Sequence, residues 1–273
     1  MKGITMKTNY ISIFRFIKVM ALSIILCIGI FLASTILNSI TKDKGSAKSI
    51  QYDHNDVVKY LKKKYGSNSN EPWSDISVYK GKETKINTPN YSQDRLNNYY
   101  NNHYARNYSE KVNGTCWAVS TMQLLRNYNA KKKPEDIFVD VINTTKSRKI
   151  EGPNFSNSDI LVNYMFSKYN MKYEADNDRY DIYKELKNEI NNKRSLIFKM
   201  SDHRVTAAGY VTYTIYGYRN TPWGKRHYSE QENFVIINDG WSDIRQYSYF
   251  PESEIGTTIF SRWNFGITKV EKK

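Results

Sequence analysis

One long apolar stretch divides this chain into two unequal parts. Residues 19–40 hold 22 successive positions without a charged side chain. At about 1.5 Å per residue, a helix of that length crosses a hydrocarbon layer about 30 Å thick. Four basic side chains lie within residues 1–18, and the positive-inside rule keeps such a segment in the cytoplasm. We therefore predict a cytoplasmic N-terminus at 1–18, a transmembrane anchor at 19–40, and an extracytoplasmic C-terminal domain.

A cleaved signal sequence is the alternative for the same residues, because its apolar core also follows a basic start. That core usually has about 7–15 residues, so the longer run favours an uncleaved anchor in the cell membrane. If the segment is cleaved, the rest of the protein is secreted. Cys27 lies inside the run, so we expect no disulfide between it and Cys116, the second of the two cysteines.

The charge of the chain is strongly positive but is not concentrated in one place. The formal net charge is +14, and no basic block dominates beyond "LKKK" and "KKK". A solvated basic surface explains this distribution better than a nucleic-acid interface does, so we expect no nucleic-acid partner. The sequence leaves the oligomeric state open.

The part after residue 40 is predicted to be a lead-in followed by a folded domain. Residues 41–109 form a juxtamembrane linker and a lead-in that could act as a propeptide, with one short amphipathic helix that begins at an Asn55 N-cap. Residues 66–112 are rich in Asn, Ser, Tyr and Lys without periodicity, which indicates an extended segment. The catalytic domain is expected at 110–273.

Within 110–273 the apolar periodicity predicts helices first and strands later. That order is typical of an α+β fold, in which helices pack on an antiparallel sheet or barrel. The predicted helices cover 115–129, 134–145, 157–169 and 179–192, and the predicted strands cover 195–200, 204–213, 233–239, 245–250 and 259–269.

The stretch "VNGTCWAVSTMQLLRNYN" at 112–129 places Cys116 in the first turn of a predicted helix. There the unpaired N–H groups and the helix dipole favour an anion, which lowers the pKa of a cysteine and makes it nucleophilic. A small buried hydrophobic side chain is the competing interpretation of Cys116. Catalysis is favoured because the exported part of the chain holds no second cysteine for a structural disulfide.

A thiolate that performs acyl transfer needs a base, and the chain offers four histidines. His203 opens "HRVTAAGYVTY", a predicted strand that would place it at the mouth of a sheet on which the helix packs. His227 in "WGKRHYSE" is the alternative. His54 and His103 lie in stretches that show little order, so we expect both at the surface.

A third side chain is needed to orient the imidazole, and "NFVIINDGWSD" offers two candidates. Strand alternation places Asp239 on one face with Val235 and Ile237, and Asn238 on the other face. Asp239 is the better candidate to accept a hydrogen bond from the imidazole, and Asn238 is the alternative.

The motifs "CWAVS", "HRVTAAGY" and "NFVIINDGW", in that order, resemble the papain-like cysteine peptidases over roughly residues 110–250. The "HxVxxxGY" form is the most specific part, and the chain is similar to compact bacterial members of the C39-like and staphopain types. The resemblance implies a helical lobe packed against an antiparallel sheet or barrel lobe, with the active site between them. Cys116 would then attack a carbonyl, His203 would transfer the proton, and Asp239 or Asn238 would hold the ring.

One position departs from the family pattern. Members usually have Gln six residues before the cysteine, where it donates to the oxyanion beside the cysteine N–H, and here that residue is Glu110. An ionised carboxylate cannot donate a hydrogen bond. Asn113, three residues before Cys116, is the candidate substitute.

The sequence therefore predicts a membrane-anchored or secreted cysteine peptidase that cleaves a peptide or protein substrate through an acyl-thioester on Cys116. A transglutaminase-like or peptidoglycan amidase activity would use the same triad. A non-catalytic, membrane-tethered binding module with the same fold is the second class, and Glu110 favours it. No pair of histidines has metal-ligand spacing, so we expect neither a metal nor a cofactor.

Overall fold

The computed structural model describes residues 53–67, 69–150, 157–200, 203–240, 246–255 and 265–273. These residues all belong to a single compact unit. None of the helices within the described ranges is long and apolar enough to cross a membrane. The basic N-terminus at 1–18 and the anchor at 19–40 lie outside the described residues, so the anchor stays a prediction.

Six α-helices and eight strands make up the described part of the chain. The helices are α1 (His54–Tyr65), α2 (Gln93–His103), α3 (Cys116–Asn127), α4 (Pro134–Arg148), α5 (Ser158–Lys168) and α6 (Ile182–Asn191). The strands are β1 (Ser74–Lys80), β2 (Thr84–Lys85), β3 (Tyr173–Asp178), β4 (Leu196–Met200), β5 (His203–Thr221), β6 (Gly224–Asn238), β7 (Ser248–Pro251) and β8 (Phe265–Lys272).

All eight strands join one antiparallel sheet, and β5 is its central member. The order across the sheet is β3-β8-β4-β5-β6-β7. β6 pairs with one edge of β5 along nearly its whole length, so β4, β2 and β1 share the other edge one after another. Because β5 and β6 continue far beyond β4, they form a long hairpin whose tip lies between Thr221 and Gly224.

The sheet carries helices on both faces. Helices α2 to α5 pack around one apolar cluster that also takes in Ile197 of β4 and Val270 of β8. Helix α6 packs on the opposite face, toward which Leu196 and Phe198 of β4 point. A third cluster joins α1 and Trp73 to the β5–β6 hairpin. We call the two sides of the sheet the α3 face and the α6 face.

The predicted α+β class is confirmed, with helices packed on an antiparallel sheet. Each of the four helices predicted after residue 110 is present, with bounds that differ by at most three residues. The strand predicted at 204–213 is part of the much longer β5, and the strand predicted at 233–239 overlaps the end of the much longer β6. The Tyr-rich residues between them extend both strands into the hairpin.

The segment at 66–112, predicted to be an extended lead-in, is part of the folded unit in its described residues. This segment contributes β1 and β2 to the sheet and α2 to the helical layer, so residue 110 marks no break in the described chain. Leu96 and Tyr100 of α2 are buried in the same cluster as α3. The apolar pattern of the sequence does not predict these elements, because each of them buries only one side and the rest of its residues are polar.

The start of α1 also differs from the prediction. Its N-cap is Asp53 rather than Asn55, because Asp53 accepts from the Asp56 N–H at 2.9 Å and Asp56 accepts from the Asp53 N–H at 3.3 Å. This reciprocal pair satisfies two backbone donors at the start of the helix. His54 and His103 are exposed as expected, but they begin α1 and end α2 instead of lying in low-order segments.

Gly209 lies where β2 approaches β5 too closely for a side chain. A Cβ atom added there would lie 2.4 Å from the backbone oxygen of Thr84 and 3.0 Å from Cα of Lys85. Neither atom can move without disturbing the β2 pairing, so we expect Gly209→Ala to lower the free energy of unfolding by about 2 kcal/mol in urea denaturation. Asn220→Ala, at an exposed position of β5, is the control. Equal stability of the two variants would contradict this packing of β2.

Candidate active site

Cys116 is the first residue of α3, and the loop before it is tied to α2. Asn101 accepts from the N–H of Val112 at 2.7 Å and donates to its carbonyl at 3.0 Å. One turn earlier in α2, the buried Asn97 accepts from the hydroxyl of Thr115. These bonds fix the position of Cys116, whose thiol is reduced and partly exposed.

The N-terminus of α3 is not capped by the residue that precedes it. Thr115 makes no capping hydrogen bond to the helix, because its hydroxyl binds Asn97 instead. The first N–H groups of a helix have no partner within that helix and favour an anion. Backbone donors of the kind that stabilise an oxyanion therefore lie beside Cys116.

A buried chain of hydrogen bonds attaches α3 to the sheet. Thr206 of β5 donates to Oε1 of Gln123 at 2.7 Å, and Nε2 of Gln123 donates to Oδ1 of Asn238 in β6 at 3.0 Å. The hydroxyl of Thr206 also lies 3.5 Å from the carbonyl of Ser120. All three bridging side chains are fully buried. We call Gln123, Thr206 and Asn238 the buried bridge.

His203 is the first residue of β5 and is only 7% exposed. His203 lies three positions before Thr206 in β5, and Cys116 lies about two helical turns before Gln123 in α3. The charge of the neighbouring Arg204 acts on the Cys116 thiolate. The start of α3 and the start of β5 therefore lie at the same end of their contact.

Strand alternation divides the start of β5 between the two faces. Thr206 reaches α3 and Arg204 shares its face, whereas Val205 packs on the α6 face. His203 has the parity of Val205. Its imidazole could therefore meet Cys116 only at the end of the sheet where β5 begins.

Asp239 follows the last residue of β6 and is 5% exposed. Ser248 of β7 donates to its Oδ2 at 3.1 Å. Continuing the pairing of β5 with β6 carries Asp239 to the position opposite Val205, with the same parity as His203. Diagonal neighbours on one sheet face are within reach of long side chains. The register thus favours Asp239 as the partner of the imidazole.

Asn238, the alternative orienter, is fully engaged elsewhere. Besides the bond from Gln123, its Oδ1 accepts from the N–H of Gly240 at 3.3 Å, and its Nδ2 donates to Thr88 at 3.0 Å and to the carbonyl of Pro89 at 2.9 Å. These bonds hold the side chain on the α3 face. We therefore assign Asn238 a structural role and keep Asp239 as the candidate orienter.

Glu110 and Asn113, the two positions considered for an oxyanion donor, differ in their hydrogen bonding and exposure. The carboxylate of Glu110 accepts from the backbone N–H of Arg106 at 2.9 Å and so closes its own loop. Asn113 is exposed next to Gly114, whose φ of +58° turns the chain toward Cys116. Of the two side chains, Asn113 is the one that a bound substrate could meet as a donor.

His227, the alternative base, lies in a distant part of the molecule. It pairs with Tyr218 in the hairpin, on the solvent-exposed part of β6. Eleven residues separate it from Asn238, which corresponds to about 35 Å along a strand. His227 is therefore excluded as the partner of Cys116.

Two further residues of this region are not among those predicted from the sequence. Gln123 holds the buried bridge, and a polar residue among buried apolar neighbours of a helix is the signal that could have found it. Arg204 follows His203 directly and is only 4% exposed. Its signal was a charge inside an otherwise apolar strand, where charged groups are normally paired.

In the described ranges, no three His, Cys, Asp or Glu side chains come together in a way that could hold a metal ion.

Comparison with known proteins assigns the chain to no family. No family model, no curated protein and no solved structure matches it. Any functional conclusion therefore depends on the residues themselves.

If the buried bridge is made, replacing Asn238 should lower the stability of the fold far more than replacing the exposed Asn113. Asn238→Ala leaves the side chains of Gln123 and Thr88 and the Pro89 carbonyl without this partner, so we expect a loss of about 3 kcal/mol in the free energy of unfolding. Asn113→Ala is the control and should change it by less than about 0.5 kcal/mol. Chemical denaturation measures both. A loss below about 1 kcal/mol for Asn238→Ala would show that the bridge is not made.

Proposed function

We propose that this protein is a papain-like thiol hydrolase, a cysteine peptidase that is anchored to the membrane through residues 19–40 or secreted. The observation that carries the proposal is the position of Cys116 at the start of α3, at the same end of the α3–β5 contact as His203. The antiparallel sheet with helices packed on it agrees with the architecture that the family resemblance implies.

In this mechanism His203 takes the proton of the Cys116 thiol, and the thiolate attacks the carbonyl carbon of the substrate. The oxyanion that forms accepts hydrogen bonds from the N–H of Cys116 and from the side chain of Asn113. The C–N bond then breaks, and the leaving amine takes the proton from His203. Water, deprotonated by His203, finally hydrolyses the acyl-thioester and restores the thiol.

Asp239 has an indirect role in the proposed mechanism. Its carboxylate accepts from one ring nitrogen of His203, which sets the tautomer and stabilises the imidazolium that forms during the reaction. Ser248 holds the carboxylate through its hydroxyl. Because Asp239 is buried, little water screens its charge, and the interaction with the ring is stronger than at the surface.

The thioester intermediate is shared by three reaction types, so the acceptor decides the outcome. Water gives a peptidase or a peptidoglycan amidase, and an amine gives a transglutaminase-like transfer. Assays of hydrolysis and of amine incorporation with the same preparation discriminate between them. A non-catalytic tethered module is the competing proposal, and it is favoured by the engagement of Glu110 in its own loop.

The first test of the proposal is the nucleophile. Cys116→Ala should reduce peptide hydrolysis by about 10³-fold or more, because no other group can form the thioester. The side chain is partly exposed and small, so the melting temperature should stay nearly unchanged. Activity is measured with a fluorogenic protein substrate, and stability by calorimetry.

The matched control is Cys27→Ser, which removes the other cysteine of the chain and should keep full activity. Equal activity of the Cys116→Ala variant and the parent protein would end the enzyme hypothesis.

A further inference from the structure

Arg204 is a buried cation that lacks the partners such a group normally has. Its exposed fraction is only 4%, and within the described part of the chain neither Nε nor Nη2 has a hydrogen-bond partner. A buried guanidinium is costly unless carboxylates or other acceptors surround it. Burial lowers the pKa of Arg204 to about 10, and only the nearby Cys116 thiolate opposes that shift.

A second arginine of the chain shows what a structural guanidinium looks like here. Arg194 donates to both carboxylate oxygens of the buried Glu189, each at 2.7 Å, and this bidentate pair satisfies both charges. Among the described residues, no carboxylate forms such a pair with Arg204. It therefore does not fit the structural role that Arg194 has.

More positive charge gathers on the same side of the sheet. Lys199 lies opposite Arg204 in the pairing of β4 with β5, and Arg179 is close enough to act on it. Burial, and then the positive charges of Arg179 and Arg204, lower the pKa of Lys199. Like charges repel, and the lowered pKa of Lys199 shows that positive potential collects on this side of the sheet.

The position of the cluster connects it to the candidate nucleophile. Arg204 shares the α3 face with Thr206, and its charge acts on the thiolate of Cys116. A group bound by the Arg204 guanidinium would therefore lie beside the carbonyl that Cys116 attacks. The unused Nε and Nη2 donors match the two oxygens of a carboxylate.

We propose that Arg204, supported by Lys199, forms an anion-binding subsite that receives a carboxylate of the substrate next to the bond attacked by Cys116. The substrate class is then a peptide or peptide-like chain with an acidic side chain or a free carboxylate near the reacting carbonyl. The inference rests on the proposed thiol hydrolase function. When the Cys116 thiol is ionised, its charge opposes the effect of burial on the Arg204 guanidinium.

The most direct test compares two alkylating reagents of similar size and different charge. Iodoacetate carries a carboxylate and iodoacetamide is neutral, and both transfer their two-carbon unit to a thiolate with loss of iodide. The full-length Cys27→Ser protein leaves Cys116 as the single target. We expect the ratio of the iodoacetate rate to the iodoacetamide rate to fall about tenfold in Arg204→Met, because one nearby charge is lost.

The ratio isolates the subsite from the reactivity of the thiol. Arg204→Met also changes how much thiolate is present, but that change affects both reagents equally and cancels in the ratio. Arg95→Met removes an arginine that is 61% exposed on α2 and should leave the ratio unchanged. A ratio that is equal in Arg204→Met and in the parent protein overturns the subsite.

Failure of the subsite and failure of the proposed function give different results. If Cys116 reacts with both reagents no faster than an ordinary thiol, the proposed function fails. If it reacts fast but Arg204→Met keeps the charge preference, the function stands and only the subsite is wrong.

With the active protein, peptides that carry Glu near the cleaved bond should have at least tenfold higher kcat/KM than the same peptides with Gln, and Arg204→Met should remove that difference.

A stability measurement separates a binding role from a structural one. Removing an unpaired buried charge in favour of an apolar side chain is neutral or stabilising, so the melting temperature of Arg204→Met should equal or exceed that of the parent protein. A structural guanidinium would give the opposite sign, as Arg194→Met should, because that change leaves Glu189 buried and unpaired. A clear loss of stability in Arg204→Met would contradict the proposal.

Discussion

The buried bridge of Gln123, Thr206 and Asn238 is the interaction on which the rest of the structure depends. It is made of neutral polar groups in a buried interface, where each unmade bond would cost more than a made one contributes. Apolar packing alone would let α3 slide on the sheet, but the bridge allows one register only. That register decides which end of β5 the start of α3 meets. The position of Cys116 relative to the first residues of β5 follows from it.

The sequence predicted the elements whose apolar pattern is complete and missed those that are half polar. Helix α3, the buried start of β5 and the buried end of β6 were predicted because most of their residues face a core. Strands β1 and β3 were missed because exposed polar side chains alternate with few buried ones. The alternation that separates Asp239 from Asn238 could be read in advance, since it depends only on the period of a strand. The hydrogen bonds that hold Asn238 could not be read in advance, because their partners Thr88 and Pro89 lie about 150 residues away in the sequence.

Two buried ionisable groups near the proposed site carry a cost in folding stability. Asp239 and Arg204 are both more than nine-tenths buried, and apolar residues of similar size would cost the fold less. They lie on opposite faces of the sheet by strand parity, so they do not neutralise each other directly. In the proposed mechanism one orients the base and the other receives the substrate. Charged groups retained at such a cost are common at functional sites and rare elsewhere.

The proposed mechanism requires the thiol of Cys116 and the imidazole of His203 to be neighbours at the end of the sheet where β5 begins, although strand parity assigns His203 to the α6 face. A dihaloketone with three carbons, which alkylates a thiol first and then any nucleophile within a few ångströms, measures this in the folded Cys27→Ser protein. The account predicts one bridged product after trypsin, in which residues 112–126 are joined to residues 200–204 through Cys116 and His203. Attachment at Cys116 alone, or a bridge to any other side chain, would contradict it.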